Sequence, residues 1–235
     1  MKKPLNKVID ELKMRNFLIR TGKITLEHYK RLLNNLPGVG SGYCLYYYLP
    51  EWSWFRPFWN SEGNEEIKHV RDNLLLPQAR LIHDIKSMKD NSIKKTINIL
   101  SENEDLKRIF KNRPFTICVV PPHKLLKKSS GIKLVAEGLC KSGRLDGTDC
   151  LVRKHDVIER KKIYSGVQKE DKEGLKKSLA VEKKHLIKGR YILLMDDIST
   201  SGDSLISAKE ILMGEGAKGV VSLVLGCTIN VMYNG

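Results

Sequence analysis

The sequence has little of what membrane-embedded, exported or covalently cross-linked proteins need. No stretch approaches the roughly 18 consecutive apolar residues of a membrane-spanning helix. The first residues, Met1–Lys7, are polar and basic and do not form the apolar core of an export signal. Five cysteines are an odd count without a CxxC pair, which argues against a zinc ribbon or a disulfide framework. They are Cys44, Cys118, Cys140, Cys150 and Cys227. We therefore expect a cytoplasmic protein with reduced thiols and no membrane partner.

Several common signatures of function are missing as well. The six histidines show no metal-ligand spacing such as HExxH. A Walker A sequence and a Gly-x-Ser-x-Gly elbow are both absent, so P-loop and serine-hydrolase interpretations have little support. No internal repeat is present, which excludes a solenoid. The glycine-rich run Pro37–Gly42 follows a helical pattern instead of a strand, which indicates a linker and not a dinucleotide-binding loop.

Acidic residues are scarce relative to basic ones. The chain has 42 Lys and Arg against 27 Asp and Glu, a formal net charge of +15. Most of the excess lies between Asp105 and Arg190, where 23 basic residues face 10 acidic ones. Clustered charge builds a field that scattered charge does not. This basic segment, residues 105–190, therefore predicts a polyphosphate ligand, a nucleic-acid partner, or both.

The first third of the chain predicts a largely helical extension over residues 1–75. Apolar residues recur at helical spacing over Leu5–Leu36, and Glu65–Leu76 also has a helical pattern. Between them, Tyr43–Trp59 is rich in aromatic residues with Arg56 as its one cation. Aromatic rings can stack nucleic-acid bases, but large rings more often fill cores or protein interfaces. We favour packing or a protein partner for this aromatic segment, residues 43–59.

Residues 76–235 predict an α/β domain. Apolar β-branched runs at 115–120, 149–153, 191–195 and 219–225 are typical of buried strands. Helical patterns separate or precede them at 78–89, 93–100, 102–112, 129–140 and 204–213. Continuous apolar strands that alternate with helices indicate a mainly parallel, twisted sheet flanked by helices.

The most informative motif follows the apolar run Ile192–Met195. Two adjacent carboxylates, Asp196 and Asp197, come directly after it, and a loop of Ser, Thr and Gly then opens into a helix. Ligands bind α/β sheets at the carboxyl ends of parallel strands. Backbone N–H groups and hydroxyls of Thr200–Ser204 form an anion pocket at a helix N-terminus. Because carboxylates accept hydrogen bonds from a diol but repel phosphate, this pattern suits a ligand that carries both phosphate and hydroxyls.

The motif resembles the 5-phosphoribosyl-1-pyrophosphate (PRPP) binding motif of type I phosphoribosyltransferases. That family has four apolar residues, two acids, two mostly apolar residues, two small hydroxyl residues, Gly, any residue, then Ser or Thr; Ser199 departs from the pattern. The resemblance implies a Rossmann-like phosphoribosyltransferase fold, with Asp196 and Asp197 holding the ribose hydroxyls and acting in catalysis. It also implies that five residues cradle the 5-phosphate: Thr200, Ser201, Gly202, Asp203 and Ser204.

A second element resembles the same family. The run Pro121, Pro122, His123, Lys124 after the first strand is similar to the pyrophosphate-side loop, especially that of ComF-type competence phosphoribosyltransferases. The resemblance covers residues 79–228. It departs at Ser129–Lys133, where ComF-type sequences carry an Arg-Gly-Phe-Asn-like run, and the N-terminal cysteine zinc module of that branch is absent. Substrate and pathway are therefore not carried over.

A polar, basic stretch lies where this family keeps a mobile hood over its ligand. It contains Lys154, Arg160, Lys161 and Lys162, of which Lys162 is our catalytic candidate. Such cations can shield the leaving pyrophosphate, although charge runs are also often only solvated surface. The resemblance implies Mg²⁺ brought with PRPP, without a direct protein metal site.

Two functions stay open on the sequence. The first is a transferase for pentosyl transfer, which moves the phosphoribosyl group of PRPP to a nitrogen acceptor and releases pyrophosphate. The second is an inert or regulatory component of a DNA-handling, competence or phage-defence assembly, which binds a nucleotide or nucleic acid. Fold alone does not separate them. A homo-oligomer is compatible with both.

Overall fold

The computed structural model describes eight stretches of the chain. These are residues 43–48, 55–59, 65–69, 77–110, 113–125, 129–140, 144–157 and 172–228. The helices predicted within Leu5–Leu36 and the linker Pro37–Gly42 lie outside the described residues, so both stay predictions.

Nine strands are described, numbered in chain order. They are β1 Tyr43–Tyr48, β2 Phe55–Trp59, β3 Glu65–His69, β4 Phe115–Val119, β5 Leu145–Asp146, β6 Leu151–Arg153, β7 Leu179–Val181, β8 Tyr191–Ser199 and β9 Gly219–Thr228. Six α-helices accompany them, with a short 3₁₀ turn at Lys184–Leu186. They are α1 Pro77–Lys86, α2 Asp90–Ser101, α3 Glu104–Phe110, α4 Gly131–Cys140, α5 Lys172–Lys177 and α6 Asp203–Gly214. None of these described helices is long and apolar enough to cross a membrane.

The main sheet has five strands in the order β1-β9-β8-β4-β5, and every neighbouring pair is parallel. The predicted parallel α/β sheet is therefore confirmed. Strand β8 is the central strand of this sheet, and its apolar run has side chains on both faces. Ile192 and Leu194 belong to one buried cluster, whereas Leu193 and Met195 belong to the other. A strand that is apolar on both faces has to be covered by helices on both faces.

Each face of the sheet has its own set of helices. One buried cluster combines residues of α1, α2, α3 and α4 with Leu193, Met195 and Leu223 of the sheet. The other combines Leu205, Ala208 and Leu212 of α6 with the opposite side of the sheet and with residues of the β6–β7 ribbon. The first residue of α4, Gly131, lies so close to α1 that an added Cβ would be 1.7 Å from the Ile85 carbonyl oxygen. Glycine is what lets these two helices meet.

Three short stretches of the first 75 residues are described, and they differ from the prediction. Residues 43–48, 55–59 and 65–69, in an extension expected to be largely helical, are all strands. Strand β1 pairs with β9 in the main sheet, and β2 pairs with β3 in an antiparallel hairpin. The helix predicted over Glu65–Leu76 is wrong for residues 65–69, which form β3. Strand pairing across the hairpin outweighs a weak helical pattern, and aromatic residues such as those of β1 and β2 favour strands.

A smaller difference concerns the strand predicted over residues 149–153. The part of it that forms a strand is β6, which does not join the parallel sheet but pairs antiparallel with β7. The two short strands form a ribbon in which Leu151 is opposite Val181. Periodicity cannot distinguish such a ribbon from a sheet strand, since both bury alternate side chains. The stretch between the two strands contains residues 158–171, which lie outside the described residues.

Candidate functional site

The two acidic residues of the motif lie at the carboxyl end of the central strand. Strand β8 continues beyond its apolar run through Asp196 and Asp197 to Ser199, and Asp196 is paired in register with Val224 of β9. The backbone N–H of Asp197 donates to Asp196 Oδ1 at 2.8 Å. The N–H of Ile198 donates to Asp197 Oδ1 at 2.6 Å. Both carboxylates are thus oriented by the strand itself, at the edge where α/β folds bind ligands.

Asp196 is half-buried at this edge of the sheet. Burial raises its pKa to about 8, and repulsion from the neighbouring Asp197 carboxylate adds to the increase. The N–H of Asp197 and the positive charges of Lys86 and Arg153 act in the opposite direction. A carboxyl group with such a pKa holds a proton at neutral pH in the unliganded protein. Strongly shifted pKa values are frequent at functional sites, because burial and like charges are gathered there.

Two cations near the acidic pair were missed by the sequence analysis. Lys86, the last residue of α1, has its Nζ 3.3 Å from Asp197 Oδ2. Both side chains are partly exposed, 46% for Lys86 and 31% for Asp197, so a ligand can reach the pair. Arg153, at the end of β6, is buried and donates from Nη1 to Ser178 Oγ. Neither residue belongs to the motif, and only the packing of α1 and of the β6–β7 ribbon on the sheet brings them close.

The loop after β8 has the geometry of an anion cradle. Gly202 adopts a left-handed conformation, with φ 81° and ψ −2°, directly before α6 begins at Asp203. Its carbonyl accepts a hydrogen bond from Ile206 N at 2.9 Å, which starts the helix. The N–H groups of a first helical turn have no partners within the helix, and the helix dipole favours negative charge there. Helix α6 is 12 residues long, so its dipole is well developed.

Side chains hold this loop in shape. Ser201 Oγ donates to Asp203 Oδ2 at 2.6 Å, and the Thr200 and Thr228 hydroxyl oxygens are 3.1 Å apart. The second contact ties the loop to the end of β9. The buried Asp203 carboxylate therefore orients Ser201, and the Asp203 backbone N–H donates to Ser201 Oγ at 3.4 Å. Ser204 follows in the first turn of α6.

The predicted pyrophosphate-side loop lies at the same edge of the sheet. Strand β4 runs parallel to β8, and Val120 N donates to the Met195 carbonyl at 2.9 Å. Pro121–Lys124 therefore starts beside Asp196. The His123 carbonyl accepts a hydrogen bond from Val157 N at 2.8 Å. Two parts of the chain that are distant in the sequence thus meet here: the loop after β4, and the motif that runs from the end of β8 to the start of α6.

Other predicted residues are not placed in the site. Lys162, with Arg160 and Lys161, lies outside the described residues, so its catalytic role stays a prediction. Lys154 is described and exposed at the end of β6. Its backbone N–H donates to the Ser178 carbonyl at 2.8 Å. The described residues therefore contribute Lys86, Arg153 and Lys124 as the cations of this region.

The donor set suits a metal that arrives with its ligand. Among the described residues, no group of three or more His, Cys, Asp or Glu side chains is arranged to hold a metal ion. Mg²⁺ is commonly held by one or two carboxylates together with substrate phosphate oxygens and water. Asp196 and Asp197 meet that requirement if the ligand supplies the phosphate oxygens.

Comparisons with known proteins gave similarities at the level of structure only. No protein-family model matches the chain, and no curated protein matches it in sequence. Among solved structures, it is similar to an orotate phosphoribosyltransferase from Aeropyrum pernix, with 17% identity, 72% of each chain covered and a TM-score of 0.36.

Two further similar structures are also phosphoribosyltransferases. A hypoxanthine phosphoribosyltransferase from Trypanosoma cruzi has 11% identity and a TM-score of 0.33, over 57% of this chain and 62% of that one. An HGPRT-ase from Leishmania tarentolae has 15% identity and a TM-score of 0.29, over 63% and 65%. At such values the similarity carries no weight for function. The fold assignment rests on the strand order and pairing of this chain.

Proposed function

We propose that the protein binds PRPP with Mg²⁺ and transfers its phosphoribosyl group to a nitrogen acceptor, with release of pyrophosphate. One observation carries the proposal. The acidic pair Asp196–Asp197 and the N-terminus of α6, opened by left-handed Gly202, lie at the same end of one strand. This places diol acceptors beside a phosphate cradle, which is the combination that a ribose 5-phosphate requires.

The ribose hydroxyls are assigned to the acidic pair. Charge-assisted hydrogen bonds from a hydroxyl to a carboxylate are roughly twice as strong as neutral ones. Since burial raises the pKa of Asp196 to about 8, its carboxyl group must lose a proton before it accepts two hydrogen bonds from the diol. The protein therefore releases a proton on binding near neutral pH. Lys86, now 3.3 Å from Asp197, stays close enough to offset the second negative charge.

The 5-phosphate is assigned to the loop of residues 200–204. Its backbone N–H groups at the start of α6 supply donors, and the hydroxyls of Thr200 and Ser204 supply more. The Ser201 hydroxyl donates to Asp203, so it can donate to the phosphate only when that hydrogen bond is broken. Because Gly202 has no Cβ, it adopts its left-handed conformation without strain and lets a phosphate approach the backbone closely. Asp203 keeps Ser201 in place at 2.6 Å.

The leaving group is assigned to the loop of residues 121–124. In the reaction the C1–oxygen bond to pyrophosphate breaks and the oxygen keeps the electron pair. The acceptor nitrogen forms the new bond to C1 and gives up its proton to water or to the departing pyrophosphate. Mg²⁺ supplies charge neutralisation on the pyrophosphate. Lys124 and the predicted hood residue Lys162 are the candidate cations on the pyrophosphate side. Such groups lower the barrier only when they act more strongly on the departing charge than on bound PRPP.

The proposal is tested by calorimetric titration of the full chain with PRPP and Mg²⁺, followed by detection of pyrophosphate with a panel of nucleobases. We expect saturable binding with proton release, visible as a dependence of the heat on the ionisation enthalpy of the buffer. Binding of ribose 5-phosphate tests the acidic pair and the loop of residues 200–204 alone. Binding of pyrophosphate tests the loop of residues 121–124. Absence of PRPP binding at millimolar concentration would make the assignment wrong.

A second candidate function is PRPP or nucleotide binding without turnover, in a regulatory component. It is favoured by residues 129–133, where the sequence departs from the ComF-type pattern. Gly131 serves the contact with α1, and Lys133 Nζ is 2.5 Å from Asp149 Oδ1. These residues are used for packing and ion pairing. PRPP binding without pyrophosphate release for any nucleobase would favour this candidate, and nucleic-acid or protein partners would then be sought.

A further inference from the structure

A cavity of about 370 Å³ lies at the amino edge of the main sheet, opposite the acidic pair. It is bounded by the starts of β4 and β5 and by helices α2, α3 and α4. Its floor is apolar, with Leu100, Leu139 and Leu193 among the lining residues. Three cations, Lys107, Arg113 and Arg144, line it as well. Its size falls within the range of roughly 300–1,000 Å³ of small-molecule sites.

The charge of this cavity is one-sided. No carboxylate is among its lining residues, although Lys107 pairs at 2.7 Å with Glu104 outside it. Arg144 is partly buried, and burial lowers the pKa of its guanidinium. Its Nη1 donates to the Leu139 carbonyl at 3.1 Å. A partly buried cation is costly unless a negative group compensates it, and a carbonyl oxygen compensates only in part.

The aromatic side chains of the cavity restrict which ligands fit. The Phe110 and Phe115 rings are stacked with centroids 3.7 Å apart and an angle of 15° between them. The Arg144 guanidinium carbon lies 5.6 Å from the Phe115 centroid. Phe115 is thus already engaged by another ring and by a cation, which leaves it poorly placed to stack a nucleobase. The remaining apolar surface is mainly aliphatic.

We propose that this cavity binds an amphipathic carboxylate, an organic acid with an apolar body and one charged head. The body lies among Leu100, Leu139 and Leu193, and the head accepts hydrogen bonds from Arg144 and Arg113. Arginine suits this role because its planar fork matches a carboxylate. Arg113 is held in place by a hydrogen bond of 2.9 Å to the Tyr191 hydroxyl. The site does not depend on the proposed transferase function.

The test is calorimetric titration of the full chain with octanoate and, as the uncharged match, 1-octanol. We expect one octanoate per chain and about tenfold or greater weakening with octanol, as the loss of charge-assisted hydrogen bonds implies. Arg144→Gln should reduce octanoate affinity severalfold towards the octanol level, with the remaining difference supplied by Arg113. Lys188→Met removes a cation at the same edge that does not line the cavity, and it should change neither affinity. If Arg144→Gln unfolds, Arg113→Gln, at an exposed residue, should give a severalfold loss for octanoate alone.

Four results would overturn the proposal. The first is the absence of saturable octanoate binding at millimolar concentration. The second is equal affinity for octanoate and octanol, which would mean that the cations take no part. The third is an equal loss for Lys188→Met and Arg144→Gln, which would assign the effect to the general positive field of this edge. Preferential binding of AMP over octanoate would also contradict it, because it would require base stacking.

Discussion

The two edges of the main sheet carry opposite chemistry. At the carboxyl edge, Asp196 and Asp197 lie beside a loop of hydroxyls and the N-terminus of α6. At the amino edge, cations surround the starts of the strands: Arg113, Arg144, Lys188, Arg190 and Lys218. We refer to these five residues as the amino-edge cations. The carboxyl edge thus carries acids beside a helix N-terminus, and the amino edge carries cations.

Helix direction explains part of this difference. In a parallel α/β sheet, helices begin at the carboxyl edge and end at the amino edge. Their N-termini attract anions and their C-termini attract cations. Arg144 illustrates the second case, since it donates to the carbonyl of Leu139 in the last turn of α4. Acids at the carboxyl edge follow the same preference, since Asp196 and Asp197 lie close to the N-terminus of α6.

The largest effect is expected when both acids of the carboxyl edge are replaced by Asn. We expect Asp196→Asn with Asp197→Asn to weaken PRPP binding by at least one to two orders of magnitude, because two charge-assisted hydrogen bonds of roughly 1.5–3 kcal/mol each are lost. Titration calorimetry measures it. Glu104→Gln with Glu210→Gln, at exposed acids away from the edge, removes the same number of carboxyl groups and should leave the affinity unaltered. Unchanged binding in the double Asn variant would remove the ribose assignment.

Two helix glycines, one near each edge of the sheet, are expected to differ in their effect on the free energy of unfolding. Gly131→Ala places a Cβ 1.7 Å from the Ile85 carbonyl oxygen, so α1 and α4 must separate. We expect a loss of about 1–3 kcal/mol in the free energy of unfolding, as for other overpacked sites. Gly214→Ala, at the end of α6, meets no atom within 4 Å and should be neutral or stabilise by up to about 1 kcal/mol. Urea denaturation compares the two, and equal effects would contradict the close packing.

The pH dependence of stability tests the raised pKa of Asp196. Asp196 has a pKa of about 8 in the folded protein and about 3.9 when unfolded. Between these values the folded state holds one more proton, so stability falls as pH rises from about 4 to 8 and levels off above. The fall is at most about 1.4 kcal/mol per pH unit. Asp196→Asn should flatten this part of the profile in urea denaturation at pH 5, 6.5 and 8. Parallel profiles for the two proteins would show that the carboxyl group is ionised throughout.

The smallest effect is expected from the surface cations of the amino edge. If this edge binds polyanions, affinity for single-stranded DNA should fall as salt rises, with a log–log slope of about 0.7 per neutralised phosphate. Lys188→Met with Lys218→Met should then lower the slope by about 1.4. Lys94→Met with Lys95→Met on α2 removes the same charge elsewhere and should not. Equal slopes in both variants would leave the amino-edge cations without a nucleic-acid role.

The sequence predicts the central sheet well because its strands are local signals. Ile192–Met195 is apolar at every position, which only a strand buried on both faces tolerates in this context. The acidic pair and the loop to Ser204 could likewise be identified, since they are contiguous. Lys86 and Arg153 could not, because they reach the site only through the packing of α1 and of the β6–β7 ribbon. Strands β1 to β3 were missed because their partners are set by tertiary pairing.

The pairing of β1 with β9 has a consequence for how the molecule folds. Cys44 is in register with Val224, so the first described strand is hydrogen-bonded to the last. Closing such a long loop is entropically costly, and contacts of this kind slow folding. The other four strands of the sheet form from segments after residue 110, and β1 closes the sheet last. Until it does, β9 is an open edge along which another chain can pair. Because β1 is synthesised before β9, we expect it to stay unpaired until β9 has been made.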